Sequence, residues 1–464
     1  MFNINKLSKD QSIHFIGIGG IGLSAMAKLC KSMGYSVQGS DIVENDMTRS
    51  LQENNIKIFI GHNSGNIQKN IHLVVFSSAI SVENPEFIAA KKANITVISR
   101  ADMLAQLMKK KSCICISGTH GKTTTASMIS WILSQGKDKP TSIIGGIDSS
   151  FQSNIQIGTN EWMVVEADES DKTFIKLPSK ISVITNIDYD HIENYGSIGN
   201  LEDSFVEYAN NIQKDGYIIF CKDDRITNKV SKNFSSGNPI SYGQSASSTV
   251  QIKNIFNKSG VYQFTIEGKI DHKRFYIKLN INRPGIYNIY NATAAAIVGI
   301  LRNISHEIIQ SSLYSYTGVY RRFSEILQKN GVAYYDDYAH HPTEINQLLS
   351  SAKKLSSGRV ISIFQPHRHS RVMSLYKEFC SAFIDTDALI LLPIYSAGER
   401  ENSEMDYNKF ITDINSESKV ETQFIERPEE LIKFIRDFAK PGDLVLFIGA
   451  GDINIISSKI CQNL

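Results

Sequence analysis

The chain has 464 residues, 42% of them hydrophobic and 21% charged, with a formal net charge of +2. That length exceeds one hydrophobic core, so two to four domains are expected, and so slight a charge excess argues against nucleic acid or an anionic membrane as the main partner. The six cysteines (Cys30, Cys113, Cys115, Cys221, Cys380, Cys461) form no Cys-x-x-Cys pair, which removes a zinc ribbon or a disulfide framework; with no apolar run long enough to span a bilayer and no signal pattern in MFNINKLSKDQ, the cytoplasm is the expected compartment.

The first block, from about 12 to 108, alternates strand and helix. SIHFIG reads as a strand, IGLSAMAKLCKSMG as a helix and YSVQGSD as a second strand; LVVFSSA and ITVIS are further strands, NPEFIAAKKA and RADMLAQLM further helices. Such alternation predicts a mostly parallel, doubly wound sheet. GIGGIGLS sets Gly17, Gly19, Gly20 and Gly22 at the first strand-to-helix turn, and Asp41 ends the second strand. Glycines there let backbone amides approach a diphosphate at a helix N-terminus, and the acid can bind a ribose hydroxyl. The pattern does not separate NAD from another diphosphonucleotide, so a dehydrogenase stays open at this point.

Lys109-Lys110-Lys111 reads as a solvated link into a second block, which starts with the strand CICIS and the stretch GTHGKTT. A phosphate loop of the usual spacing would need a Gly or Ala at 116, where Ile116 stands; the loop of Gly118, Thr119, His120, Gly121, Lys122, Thr123 and Thr124 is shorter. Its amides suit phosphate oxygens, Lys122 suits the β- and γ-phosphates, and Thr123 suits magnesium. Cys113 and Cys115 alternate with Ile and read as small core residues. WMVVEAD and ISVITNID are strands that end in acids: Glu166, Asp168, Glu169 and Asp171 after the first, Asp188, Asp190 and His191 after the second. Acids at the carboxyl ends of neighbouring parallel strands converge beside the phosphate loop, where a magnesium ligand is needed. A helix near 199 to 213, the strand GYIIFC, an alternating ribbon from 249 to 281 and a helix after Pro284-Gly285 complete the block.

The third block, from about 317, has strands GVAYYDD, RVISIF, ALILLP and DLVLFIG, with helices at about 342–355, 371–384, 405–415, 428–438 and 452–462. Arg321 and Arg322 lie near the junction. His367, Arg368 and Arg371 follow one strand, and Asp337, Tyr338, His340 and His341 follow its neighbour, a grouping suited to a carboxylate or a transferring phosphoryl group.

Together GIGGIGLS, GTHGKTT, EADESD, TNIDYDHIENYG, RRF, DDYAHHPTE and QPHRHSR resemble the Mur ligases, in particular their alanine-adding branch, over the whole chain. The resemblance implies an α/β protein of three domains: a Rossmann-like N-terminal domain (1–108) for a UDP-sugar, a central P-loop ATPase domain (109–316) with a mostly parallel sheet, and a Rossmann-like C-terminal α/β domain (317–464) for the amino acid. It implies that ATP phosphorylates the lactyl carboxylate of UDP-N-acetylmuramate and that L-alanine's amine attacks the acyl phosphate. Carried over position by position, Gly17, Gly19, Gly20, Gly22, Asp41, Ser77 and Ser78 would bind the UDP-sugar. Gly118 to Thr124, Asn288, Asn291, Arg322 and Asp337 would bind ATP, and Tyr338, His367, Arg368 and Arg371 L-alanine. Thr123, Glu166 and His191 would hold Mg2+, with Mn2+ as the alternative, and Lys122, Glu166, His191, His341 and Arg368 would be catalytic. The expected partners are these small molecules, without nucleic acid or membrane, for a monomer or weak homodimer. Two departures stand out: Tyr287 replaces a histidine in the adenine-side motif Pro284-Gly285-Ile286-Tyr287-Asn288, and 192–213 holds no lysine that could be carbamoylated. A third, small one is Ala339, where glycine is common. The rival within the class is the recycling ligase that adds a murein tripeptide.

Overall fold

Short apolar runs, several of them closed by Gly, Ser or Asp, build three sheets in succession. The structure, a computed structural model, describes residues 4, 7, 8, 11–77, 79–170, 172–190, 192–258, 260–399 and 405–464. The first sheet holds β1 (Ser12–Ile16), β2 (Ser36–Asp41), β3 (Lys57–Ile60), β4 (Ile71–Phe76) and β5 (Thr96–Ser99) in the order β3-β2-β1-β4-β5. All its pairings are parallel, so helices must cross over between strands, and the strand order reverses beside β1. In an open α/β sheet a ligand crevice lies at that reversal, outside the carboxyl ends of the strands.

The second sheet contains β6 (Ser112–Ser117), β7 (Thr141–Asp148), β8 (Ser153–Gln156), β9 (Trp162–Glu166), β10 (Ile181–Ile184), β11 (Tyr217–Cys221), β12 (Asn238–Gly243), β13 (Val250–Lys258), β14 (Val261–Ile270) and β15 (Lys273–Ile281). Its order is β15-β14-β13-β12-β11-β10-β6-β9-β7-β8, which sets β6 between β10 and β9 in the parallel core. The expected ribbon is present at the sheet edge: two-residue connections force β13, β14 and β15 to run antiparallel. The β7–β8 hairpin was not expected from the sequence, because neither strand carries a long apolar run.

The third sheet contains β16 (Ser324–Lys329), β17 (Val332–Asp337), β18 (Val360–Phe364), β19 (Ala388–Leu391), β20 (Thr422–Phe424) and β21 (Leu444–Ile448), ordered β16-β17-β21-β18-β19-β20. Alternate residues of its central strands feed two cores. Phe364, Leu446 and Ile448 enter one with Phe379, Phe383 and Phe410, and Ile363, Val445 and Phe447 enter the other with Leu431, Ile435 and Ile460. Burial on both faces is why these strands read as continuous apolar runs. The expected helix at 371–384 is instead two short ones, His369–Ser374 and Tyr376–Cys380, broken at Leu375. Val372, Phe379 and Phe383 are nonetheless all buried, so apolar spacing told correctly what is inside but not that the backbone bends.

By compactness the chain falls into two units: 1–255 with 264–280 and 290–316, and 256–263 with 281–289 and 317–464. No helix among the described residues is long and apolar enough to cross a membrane. Cys113 and Cys115 are fully buried, and burial pushes the Cys113 thiol up to about 12, as expected of core residues and not of a redox pair.

Candidate active site

The phosphate loop leaves β6 at a point where only glycine fits. Gly118 has φ +124°, and a Cβ there would lie 2.2 Å from Thr185 Oγ1 and 2.7 Å from the Asn186 carbonyl. Asn186, after β10, clamps the loop: its carbonyl accepts from Thr119 N at 3.0 Å, its Oδ1 from His120 N at 2.9 Å, and its Nδ2 donates to His120 O at 2.9 Å. His120 Nε2 stands 3.3 Å from Asp188 Oδ2. Gly121, at φ +81°, caps the helix Lys122–Gln135, and a Cβ on it would lie 2.7 Å from Asn291 Oδ1, so Asn291 does reach the loop. The first-turn amides of that helix, through Thr123 and Thr124, have no partner within the helix and form a ready cradle for an anion.

Acids from β9 close over this helix start. Thr123 Oγ1 is 3.0 Å from both carboxylate oxygens of Glu166, and Gly145 N donates to Glu166 Oε2 at 2.8 Å. A hydroxyl beside a carboxylate is the oxygen donor set a hard divalent cation takes, so Thr123 and Glu166 fit magnesium. Lys122 Nζ donates to Gly118 O at 2.7 Å, to Thr119 O at 3.1 Å and to Glu169 at 2.9 Å, which uses all its hydrogens. Burial alone would lower its pKa, but Glu169, Asp168 and Glu166 hold it above the ordinary lysine value. Glu169 is itself pushed up to about 7, first by burial and then by Asp168, against the pull of Lys122. Glu166, expected as a metal ligand, thus lies beside Thr123, and Glu169, given no role of its own from the sequence, is the acid that grips the lysine. Sequence reading missed Arg100, whose guanidinium is 3.6 Å from Asp168 and 3.3 Å from where a Cβ on Gly22 would sit. His191 and Asp171 lie outside the described residues.

In the first sheet Gly17 (φ +80°) and Ile18 donate their amides to Ser40 O, and Gly19 N donates to Asp41 Oδ2 at 2.8 Å. A Cβ on Gly19 would lie 2.8 Å from both Asp41 Oδ2 and Asn45 Nδ2. Asp41 is thus where the sequence placed it, with one oxygen already holding the glycine turn; Gly20 is exposed and Gly22 opens the first helical turn. Ser77 packs against Gly17, its Cβ 3.3 Å from that glycine's Cβ position. Ser78 lies outside the described residues.

In the second unit, His367 stacks on Tyr395 with ring centroids 5.7 Å apart and meets His340 edge-on at 6.0 Å. Arg371, buried, places Nη1 3.2 Å from His367 Nδ1. Burial first, then His340, Arg371 and Arg368, push His367 down to about 3, so the ring is neutral at physiological pH. Arg368 is exposed and sits at φ +68°, ψ 128°, its amide tied to Tyr395 O at 2.8 Å. That backbone costs about 1–3 kcal/mol in an L-residue, strain of a kind that gathers at ligand sites. Arg321 and Arg322 approach the Tyr338 ring at 5.0 and 5.2 Å. Asp337 accepts from Phe323 N at 2.6 Å and Ala339 N at 2.7 Å, and burial raises it to about 6 despite Arg322. His341 caps the helix Pro342–Leu355 through Thr343 N, with Glu344 completing the capping box.

Three family descriptions cover this layout in order: "Mur ligase family, catalytic domain" at 12–112, "Mur ligase middle domain" at 116–299 and "Mur ligase, glutamate ligase domain" at 321–451. The chain belongs to the Mur ligase family. It is 40% identical over 444 residues to a UDP-N-acetylmuramate–L-alanine ligase of Methylorubrum populi, covering 95% of each chain. It is 38% identical to the enzyme of the same name from Xanthobacter autotrophicus, over 96% of this chain and 95% of that one. A solved UDP-N-acetylmuramate–alanine ligase from Thermotoga maritima superposes with a TM-score of 0.82 at 29% identity, over 97% of this chain and 98% of that chain. A murein peptide ligase of Psychrobacter arcticus shares the fold at a TM-score of 0.74 and 21% identity, over 97% of this chain and 98% of its own.

Within this Mur ligase Tyr287, the departure in the adenine-side motif, packs its ring on Gly285. Gly285, at φ +95°, leaves room for the Tyr287 ring, whose carbon Cε1 would lie 2.3 Å from a Cβ there. Burial and Asp337 push the Tyr287 phenol above its ordinary value, so it stays a neutral hydroxyl at physiological pH. Asn288 Nδ2 donates to Pro284 O, which fixes the turn that starts the helix Tyr287–Leu301.

Proposed function

We infer that this chain joins L-alanine to the lactyl carboxylate of UDP-N-acetylmuramate, consuming ATP, in the synthesis of peptidoglycan precursors. The observation that carries it is near full-length identity of 38–40% to enzymes of that name, in a chain whose phosphate loop holds its lysine and acids in place.

The γ-phosphoryl group passes to a carboxylate oxygen, the P–O bond to ADP breaks, and an acyl phosphate forms. The amine nitrogen of L-alanine then attacks the acyl carbon, loses a proton, and phosphate leaves as the amide forms. Lys122 exchanges its bond to Glu169 for a phosphate oxygen and neutralises charge as the phosphoryl group departs. Thr123 and Glu166, with His191, would hold Mg2+ or Mn2+, which supplies charge stabilisation on the phosphates. Gly118 to Thr124 and Asn291, with Asn288, Arg322 and Asp337, bind the nucleotide. Gly17, Gly19, Gly20, Gly22, Asp41, Ser77 and Ser78 bind the UDP-sugar, and Tyr338, His367, Arg368 and Arg371 bind L-alanine, with His341 and Arg368 beside the reacting groups. The working divisions are 1–108, 109–316 and 317–464, in a cytoplasmic monomer or weak homodimer. The test is phosphate release with UDP-N-acetylmuramate, ATP and L-alanine, each omitted in turn, with the product weighed by mass spectrometry. Chelation by EDTA should abolish turnover and added Mg2+ restore it. Equal use of a murein tripeptide as acceptor would replace this reading with the recycling ligase.

A further inference from the structure

A group of polar side chains inside the first sheet has no part in the scheme above. Glu86, fully buried at the start of the helix Pro85–Lys92, gathers donors from separate segments. Its Oε2 faces Ser40 Oγ, His14 Nε2 at 3.4 Å and His62 Nδ1 at 3.3 Å; its Oε1 faces Asn66 Nδ2 and Asn63 N. Burial pushes the carboxyl up, but the bonds from His14, Ser40 and Asn66 outweigh it and hold Glu86 at about 2, so the buried group is an anion.

The proton positions follow from the partners. Gln38 Nε2 donates to Asn66 O at 3.0 Å, which fixes that atom as nitrogen, and it also donates to His14 Nδ1 at 3.1 Å. His14 is therefore the neutral Nε2–H tautomer and gives that hydrogen to Glu86. Ser40 Oγ gives its one hydrogen to Glu86, so its contact with His62 Nδ1 at 3.1 Å requires the proton to be on Nδ1. Where the ring carries that single proton, Nε2 holds a lone pair and accepts. That atom is screened from water and has no hydrogen-bond partner among the described residues, a condition that costs free energy until a donor arrives.

Its position decides which donor. His62 follows Gly61, whose amide donates to Asp41 O at 2.8 Å, and the carbonyl of Ser40, on the neighbouring strand, holds the amides of Gly17 and Ile18. The ring stands at the carboxyl ends of β2 and β3, one strand beyond the glycine turn on the Asp41 side. Ile42, Val43 and Ile60, 68%, 58% and 53% exposed, lie on those same strand ends and offer apolar surface to a planar base.

We propose that His62, oriented by the buried Glu86, accepts a hydrogen bond through Nε2 from the uridine of the UDP-sugar and helps select it. Glu86 acts through His62 and is a positioning residue. The donor is an N–H or O–H of the nucleoside: uracil N3–H or a ribose hydroxyl. This rests on the UDP-sugar reading above and adds a recognition residue to it.

The test is calorimetric binding of UDP to the full chain and to His62→Asn and His62→Gln, with N3-methyl-UDP, 2′-deoxy-UDP and 3′-deoxy-UDP as further ligands. Asparagine keeps a donor toward Ser40 and Glu86 but has nothing at the Nε2 position, whereas glutamine places an amide oxygen there. UDP should bind His62→Asn about 10-fold more weakly than wild type, and His62→Gln should recover most of that loss. One analogue should lose about 10-fold on wild type and little further on His62→Asn, as expected when ligand and side chain share one bond. That analogue identifies base or ribose as the donor. In turnover, His62→Asn should raise KM for UDP-N-acetylmuramate far more than it lowers kcat, a split that loss of structure would not produce. Unchanged UDP affinity in His62→Asn, or analogue losses equal in both proteins, overturns the proposal. Should His62→Asn fail to fold, wild type and His62→Gln decide alone, because full affinity for all three analogues also overturns it. If wild-type protein binds no UDP at all, the UDP-sugar reading itself falls.

Discussion

The phosphate loop and the His367 cluster are built with opposite electrostatics. Around Lys122, three carboxylates surround one ammonium, and one of them, Glu169, is held near neutrality at about 7. Around His367, Arg368 and Arg371 crowd an imidazole driven down to about 3, with Glu399 as the opposing acid. An acid-rich shell around a single cation has room for another cation; a shell of guanidiniums around a neutral ring has room for an anion. The first suits a metal–triphosphate complex and the second suits the carboxylate of an amino acid.

The comparison breaks most visibly at Lys122. Lys122→Ala should lower kcat by at least about 1,000-fold, since its charge is needed most as the phosphoryl group departs. The protein should stay folded, because Glu169, already near 7, can take up a proton once its partner is gone. Phosphate release and a melting curve on the same sample check both halves; near-normal turnover would sink the phosphate-loop assignment.

On the anion side, Arg371→Ala or Arg368→Ala should raise KM for L-alanine by about 10- to 100-fold, the size of one lost charge-assisted hydrogen bond, and change KM for ATP much less. Steady-state titrations of each substrate separate the two. Equal increases for ATP and L-alanine would mean that the arginines serve the nucleotide.

Much of this contrast was readable from the chain alone, and the rest was hidden for identifiable reasons. Glycines and lysine within seven residues, Gly118 to Thr124, announce a loop because the chemistry is local. Glu166 and Glu169 follow the same strand, and spacing does not tell which acid turns toward the lysine. Glu86 went unnoticed because its partners, His14, Ser40, His62 and Asn66, come from separate segments, and SIHFIG reads simply as an apolar strand. Asn186 and the β7–β8 hairpin share that difficulty. Long-range polar pairing leaves no periodic trace in sequence.

Glu169→Gln sharpens the acid side with a smaller effect. ATP must displace a carboxylate from Lys122, so the neutral amide should lower KM for ATP several-fold. In wild type the same gain should appear as pH falls below about 7 and Glu169 protonates. The pH profiles of KM for ATP in the two proteins should converge at low pH; parallel profiles would show that Glu169 does not compete with the nucleotide.

The smallest effect concerns His367 itself. Its native pKa of about 3 lies below the ordinary 6.5, so between these values the unfolded chain binds more protons than the native one. Stability therefore rises with pH across that window, is complete above about 6.5, and is lost as pH falls toward 3. Burial leads the shift and the surrounding cations add to it, so Arg371→Met should move the midpoint upward without restoring 6.5. The Cε1–H resonance of His367 should stay flat from pH 8 to 5 in wild type and begin to titrate at higher pH in Arg371→Met. A wild-type midpoint near 6.5 would mean that the ring is neither buried nor crowded by arginines, and the contrast between the two charge shells would then lose its second half.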